Sequence, residues 1–537
     1  MTISIRNLVT VILLFGVLQM LESQPAGKLP RSTPEAEGVS SEGIIDFLNA
    51  VDTGSVELHS YMFIRHGKVI AEGWWAPYGP DYKHLLYSAS KTFTATAIGL
   101  AISEGRLKVT DKIISFFPYS LPDTISEYMK EMTVGNLLSM SVGQDPEPRS
   151  MGSTGDWVRT FIGTAPLQKP GTTFKYNNMA TFMQSAIIQQ VTDETLFEYL
   201  KPRIFEPLGI RGMDWDLNPQ GINLGMIGLR LKTEDLGKFG QLLLQGGKWN
   251  RQQLIPSSWV ADATSIKIET AGQDNKLPVE LNDWAQGYCY QMWRGRNNTV
   301  RIDGMGGQFV VLLPDRDAVV VFTANAKNTQ HELNLMHDYL IPAIKSDKPL
   351  APANNSLADL QKRQLTLSLQ SDKSEMAAPA LASRISGKEF LLDNNEYGIQ
   401  SIYLILRNGE CSFGLRRDNR ITTIRAGQGR WIMSDAPSTS LLNKPAPAPS
   451  RSVDANYLIP VTYFRSGALY SWTNENTLEL IARFVEESLG EQALLFSFTE
   501  TGGSIHVTIE PKSPVGRMIP GFTPPQIRLR GTMIDLN

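Results

Sequence analysis

Cysteine is nearly missing: Cys289 and Cys411 are the only two in 537 residues. That excludes a disulfide framework and any zinc-type cysteine spacing, so stability has to come from burying apolar surface. Histidine is also scarce. In "HELNLMH" the residues His331 and His337 stand six apart, too far round a helix to share a face as an H-E-x-x-H zinc site requires, so this stretch is expected to be a solvated helix. Charge is balanced at a formal −3 with no long basic run, which removes the electrostatic reason to bind nucleic acid or anionic lipid. No G-x-S-x-G occurs, so the nucleophile elbow of an α/β-hydrolase is excluded in its usual form.

One long apolar run exists, Leu8 to Leu21, preceded by Arg6. Its length suits a signal-peptide core better than a membrane span, so residues 1–24 are expected to direct export to a secreted or periplasmic location. No A-x-A cleavage site follows, which keeps an uncleaved N-terminal anchor as the alternative. Residues 28–345 mix helical and strand patterns, with a hairpin turning at His66-Gly67 and a short helix in "TVGNLLSMSVG". Residues 346–382 are rich in proline and polar residues and read as a loop-like linker with at most one short helix. From 383 to 537 short alternating runs separated by Asn408-Gly409 and Asp418-Asn419 read as an antiparallel β-barrel or sandwich. This region carries no grouped catalytic residue types, so it is expected to be an accessory domain. A chain ended near Ala343–Ser346 is expected to keep its chemistry.

The chemistry is expected in "LLYSASKTFTATAIGLAISEGRL". Ser88 and Lys91 form the chain's only S-x-x-K, at the start of an apolar helix that closes at Gly105. In a helix's first turn the two side chains share a face, the helix dipole favours a developing oxyanion, and a lysine among apolar neighbours becomes a base. The only Y-x-N is "YNN": Tyr176 follows a proline-glycine turn and precedes a second apolar helix. A phenol beside an ammonium ionises more easily, so Tyr176 and Lys91 are expected to share the proton work, with Asn178 orienting Lys91 or the substrate. In "RIDGMGGQFVVLLPDRDAVVVFTAN" the glycines Gly306 and Gly307 open a strand, and the backbone N–H of Gln308 is expected to join that of Ser88 in an oxyanion hole. The Gln308 side chain needs no role.

These three elements, together with "GRLKVTDKIISFFP", "IFEPLGI" and "LKTEDLGKFGQLLLQGGKWNRQQLIPSSWV", occur in one order over about residues 30–345. In this the chain resembles the penicillin-recognising serine hydrolases, most closely the branch of class C β-lactamases, related esterases, D-alanyl-D-alanine carboxypeptidases and nylon-oligomer hydrolases. The resemblance implies an α+β, two-lobed fold, an antiparallel sheet flanked by helices plus a helical lobe, with the C-terminal β-barrel-like domain appended. It further implies an acyl-enzyme on Ser88 with no metal or organic cofactor. Where β-lactamases carry Lys or His before the glycine, this chain has Met305. Losing that cation points to a small neutral ester or amide as substrate, unless Arg301 or Arg294 supplies the charge. The alternatives are a non-catalytic or slow-turnover penicillin-binding, sensor-like protein and a D-amino-acid peptidase or carboxypeptidase. Sequence leaves the oligomeric state open.

Overall fold

The computed structural model describes residues 27–54, 56–271, 277–369, 376–418, 420–436, 441–442, 450–453, 463–487, 490–512 and 527–534. The expected leader therefore lies outside the described residues. Among these residues no helix is long and apolar enough to cross a membrane.

Six antiparallel strands form the central sheet, in the order Lys68–Trp74, Leu58–Arg65, Ala318–Ala324, Gln308–Leu313, Val300–Gly304 and Trp293–Arg294. The run "AVVVFTA" is buried throughout because both faces of the sheet are covered. Its alternate residues serve two cores. Val319 and Val321, with Met62, Ile64, Val310 and Leu312, face the helix Thr233–Leu244 and the larger core beyond it. Val320 and Phe322, with Tyr61, Phe63, Phe309 and Val311, face the helix Ser41–Val51. A helical lobe including Val134–Leu138, Trp157–Gly163 and Asn178–Thr192 packs on the other side of the helix Ser90–Ser103. That central helix is buried from Ser90 to Ala101, in keeping with its small and apolar residues on all faces.

The hairpins form where the turn dipeptides stand. Arg65 pairs with Lys68 across His66 and Gly67 at φ 50° and 72°, and Arg407 with Glu410 across Asn408 and Gly409 at 52° and 72°. Two left-handed residues in succession match the right-handed twist of the strands. Arg417 likewise pairs with Arg420. In the C-terminal region nine strands run from Arg420–Gln428 round to Phe464–Asn474 and close through the parallel pairing of Gly427 with Leu469; a tenth, Ile432–Ala436, lies beside Phe464–Asn474. The interior is filled by Ile402, Leu404, Phe413, Phe496 and Trp472 among others. The α+β, two-lobed fold with a barrel-like C-terminal domain is thus as the sequence indicates.

Three expectations need correction. Within 346–382 the helix Asn354–Leu365 packs against Ser41–Val51, and Leu360 and Leu367 join the core around Phe47, so the segment is docked rather than loop-like. The prolines flank this helix and do not interrupt it. "HELNLMH" is not a solvated helix: Leu333, Leu335 and Met336 are core residues, and His337 Nε2 lies 3.2 Å from Asp283 Oδ1. Finally, the barrel is joined to the body by more than its connection. Its strand Arg451–Val453 pairs with Asp214–Asp216, extending the small sheet that continues through Leu229–Leu231 to His84–Leu85.

Candidate active site

Ser88 sits at the junction of the central helix and that small sheet. It lies in a 3₁₀ turn, Tyr87–Ala89, and the α-helix begins only at Ser90, so Ser88 precedes the first turn in which sequence places it. The reason is Tyr87, whose φ of 48° is left-handed and breaks the helical path. A non-glycine residue there costs about 1–2 kcal/mol, so the turn has to be held. Leu86 N donates to Leu229 O at 3.0 Å, Ser90 Oγ donates to Tyr87 O at 2.7 Å, and Leu229 N donates to Ser90 Oγ at 3.3 Å.

Lys91, 1% exposed, directs its Nζ to three acceptors, each at 2.9 Å: Ser88 Oγ, Asn178 Oδ1 and the carbonyl of Met226. Burial pulls its pKa from 10.5 down to about 7, against smaller opposing attractions from Glu147 and Asp303. In "YNN" the two asparagines divide the labour. Asn177 caps the helix Asn178–Thr192 through Oδ1, accepting from Ala180 N at 2.9 Å, and this leaves Asn178 turned to Lys91. Glu147 then fixes the amide by accepting from Asn178 N at 2.5 Å and from Asn178 Nδ2 at 3.1 Å.

The Tyr176 phenol faces Ser88, which draws its pKa down, and Lys91 Nζ lies 5.0 Å from its ring centroid. Its ring stacks on Trp293, with centroids 6.3 Å apart and planes 13° from parallel. The expected easing of its ionisation is reversed: desolvation holds the phenol above its ordinary value, further than the neighbouring Ser88 brings it down. Among the two candidate proton carriers, the lysine titrates near neutrality.

The glycine-rich turn closes the site from the sheet side. A Cβ on Gly304 would meet Leu86 O at 2.3 Å and Ala89 N at 3.1 Å, so only glycine lets this strand end lie against the Ser88 turn. Gly306 and Gly307 follow at φ 76° and 92°, with the Glu332 carboxyl packed under Gly307. Three carbonyls here are occupied: Gly304 O by Gly307 N, Met305 O by Gln308 Nε2 and Gly306 O by Ala326 N. Contrary to expectation the Gln308 side chain has a structural part, because it also binds both the N–H and the C=O of Ala324.

Neither arginine replaces the missing cation. Arg301 is 1% exposed, pairs with Asp303 at 3.1 Å and lies over the Trp284 ring; Arg294 turns to Asn298. Ser88, Lys91, Tyr176 and Asn178 are thus brought together, and Gly306, Gly307 and Gln308 lie beside them. Glu147, Met226 and Asp303 escaped the sequence reading. Met226 contributes only a carbonyl, and the two acids belong to no motif whose spacing shows in the chain.

Residues 54–342 match the Beta-lactamase family. The 6-aminohexanoate-dimer hydrolase of Paenarthrobacter ureafaciens is 24% identical over 280 residues, 49% of this chain and 71% of that protein. Protein flp of Staphylococcus aureus (strain MW2) is 27% identical over 139 residues, 25% of this chain and only 28% of flp. Among solved structures, the hydrolase EstCE1 superposes with a TM-score of 0.46 at 17% identity, covering 57% of this chain and 99% of EstCE1. The octameric penicillin-binding protein homologue from Pyrococcus abyssi gives 0.42 at 13% identity, covering 91% and 99%. With its family match spanning more than half its length, this chain belongs to the Beta-lactamase family and is a serine hydrolase.

Proposed function

We propose that the protein cleaves a small neutral ester or amide through an acyl-enzyme on Ser88, with Lys91 as the base. The observation that carries this reading is the Lys91 amine, 2.9 Å from Ser88 Oγ and pulled down to about 7. As an ammonium it has three N–H groups for three acceptors. As a neutral amine it has two, which Asn178 Oδ1 and Met226 O take, and its lone pair is left facing the serine hydroxyl. Ser88 Oγ then attacks the carbonyl carbon while its proton passes to Lys91 Nζ. The oxyanion is received by the backbone N–H groups of Ser88 and Gln308. Tyr176, a neutral phenol, gives its proton to the departing alcohol or amine and regains one from Lys91; water reverses these steps to release the acid.

Preference for a neutral acyl group follows from Met305, 45% exposed on the glycine-rich turn, and from the pairing of Arg301 with Asp303. Among the described residues a substrate carboxylate meets no replacement for the family's cation there, and Asp303 and Glu147 stand nearby with the opposite sign. The relative named for hydrolysis of a dimer supports a small substrate. Export is part of this proposal and rests on Arg6 and the apolar run Leu8 to Leu21.

Intact mass after a fluorophosphonate probe tests the nucleophile: the wild type should gain one adduct and Ser88→Ala none. A nitrophenyl ester, a chromogenic cephalosporin and a D-amino-acid peptide then test the substrate class. The ester should turn over fastest. Full ester hydrolysis by Ser88→Ala, or an acyl adduct on the wild type that never turns over, would remove the proposal.

A further inference from the structure

The strained turn that carries Ser88 springs from two short paired strands, His84–Leu85 and Leu229–Leu231, with Leu85 opposite Arg230. Both are gripped from the C-terminal barrel by one loop. That loop follows the strand Thr477–Phe484, whose penultimate residue is Arg483, and presents Glu486 and Glu487. Glu486 Oε1 accepts from Lys83 N at 3.2 Å, immediately before the first strand, and Glu486 O accepts from Arg230 Nε at 3.2 Å on the second. Glu487 Oε2 accepts from Arg230 Nη2 at 3.0 Å and from Arg451 Nη2 at 2.7 Å. Arg483 donates to both oxygens of Glu57 at 2.8 and 3.0 Å. Glu57 Oε1 in turn lies 3.1 Å from His59 Nε2, and His59 Nδ1 lies 2.8 Å from His84 Nε2.

The side chains of Arg230, Arg451 and Arg483 are each 4% exposed, and that of Glu487 is 9% exposed. Buried ion pairs add little net stability against apolar residues of the same shape, but they fix relative position, because any other register strands a charge. An interface built only to adhere has no need of them. Their targets are also particular: Lys83 precedes one strand of the nucleophile turn, Arg230 lies within the other, and the Glu57 arm ends on His84, four residues before Ser88.

Taking Ser88 as the nucleophile, we propose that the barrel segment Arg483–Glu487, a strand end and the loop after it, is a positioning device for it, clamping the two strands from which its turn rises. The C-terminal domain then completes the catalytic geometry of the hydrolase body without touching substrate. Arg483, Glu486 and Glu487 are positioning residues, acting through Arg230, Lys83 and the Glu57–His59–His84 series.

The full-length variants Glu487→Gln and His59→Gln test this. The first keeps the shape of the barrel's grip but removes its charge, and the second cuts the other arm inside the body while leaving every barrel residue in place. Arg384→Ala, which breaks the exposed Arg384–Glu500 pair elsewhere on the barrel, is the control. Measured are kcat and KM for a nitrophenyl ester, the rate of fluorophosphonate labelling, and the melting curve by circular dichroism. Both test variants should be folded at the assay temperature and lose at least tenfold in kcat and in labelling rate, with KM within twofold, while the control matches the wild type. If Glu487→Gln does not fold, His59→Gln alone decides. Variants that melt earlier yet label and turn over at the wild-type rate would reduce the loop to adhesive and overturn the clamp alone. A wild type that is not labelled at Ser88 would overturn the nucleophile reading, and the clamp with it.

Discussion

At Lys91 two influences oppose each other: burial, which favours the neutral amine, and the carboxylates of Glu147 and Asp303, which favour the ammonium. Burial prevails, and the amine titrates at about 7 while the Tyr176 phenol is held above its ordinary range. On the proposed mechanism the rise in rate with pH belongs to the lysine. Below the Lys91 pKa, kcat/KM for a neutral ester should climb about tenfold per pH unit and level off above it. Lys91→Arg keeps the charge and cannot act as a base, so it should flatten that limb and lose roughly 10²–10⁴-fold in rate. Stopped assays from pH 5 to 9 on both proteins check this. Ser88, Lys91, Tyr176 and Asn178 were legible because each belongs to a short motif with its own chemistry. Glu147 and Asp303 were not, because their effect on Lys91 exists only once distant segments meet.

Among the elements, hairpins were read well because a turn dipeptide fixes its backbone locally: His66-Gly67 and Asn408-Gly409 adopt the left-handed pairs their residues favour. The start of the nucleophile helix was missed by two residues because Tyr87 is left-handed for tertiary reasons, and no propensity at a tyrosine announces that. The strands Leu58–Arg65 and His84–Leu85 carry a second feature invisible in sequence, the buried pair His59 and His84. Two neutral rings bring two N–H groups to three contacts, with Glu57, with each other and with Leu85 O, so a third proton has a place waiting. It would put a charge in a fully buried site, and burial keeps both rings neutral, pulled down to about 4 for His59 and about 3 for His84. Since an unfolded histidine titrates near 6.5, the unfolded chain takes up more protons below that pH than the folded one. The stability due to this pair is complete above about pH 6.5 and is lost as pH falls through about 4 for His59 and about 3 for His84. The urea midpoint should drop steadily over that window, and less steeply in His59→Gln.

For the molecule as a whole, the sequence separates a hydrolase body from a barrel correctly in kind but misjudges how they join. A chain ended at Ser346 looks self-sufficient when read along the sequence. In the structure such a chain loses the helix Asn354–Leu365 from the core at Phe47, the strand beside Asp214–Asp216, and the barrel partners of Arg230 and Glu57. It should be poorly soluble or, where it stays folded by circular dichroism, label at Ser88 far more slowly than the full chain. Recovery of labelling at the full rate would restore the view of the barrel as a removable accessory. The joint was illegible because it consists of single charged residues, each meeting a partner far away in the chain. The pairing of Arg451–Val453 with Asp214–Asp216 also sets an order in time. A ribosome makes the serine, its lysine and the rest of the body long before it reaches residue 451, so the sheet beneath the nucleophile stays one strand short through most of synthesis. On the clamp proposed above, catalytic competence arrives late in translation, and a chain abandoned partway leaves behind an idle hydrolase.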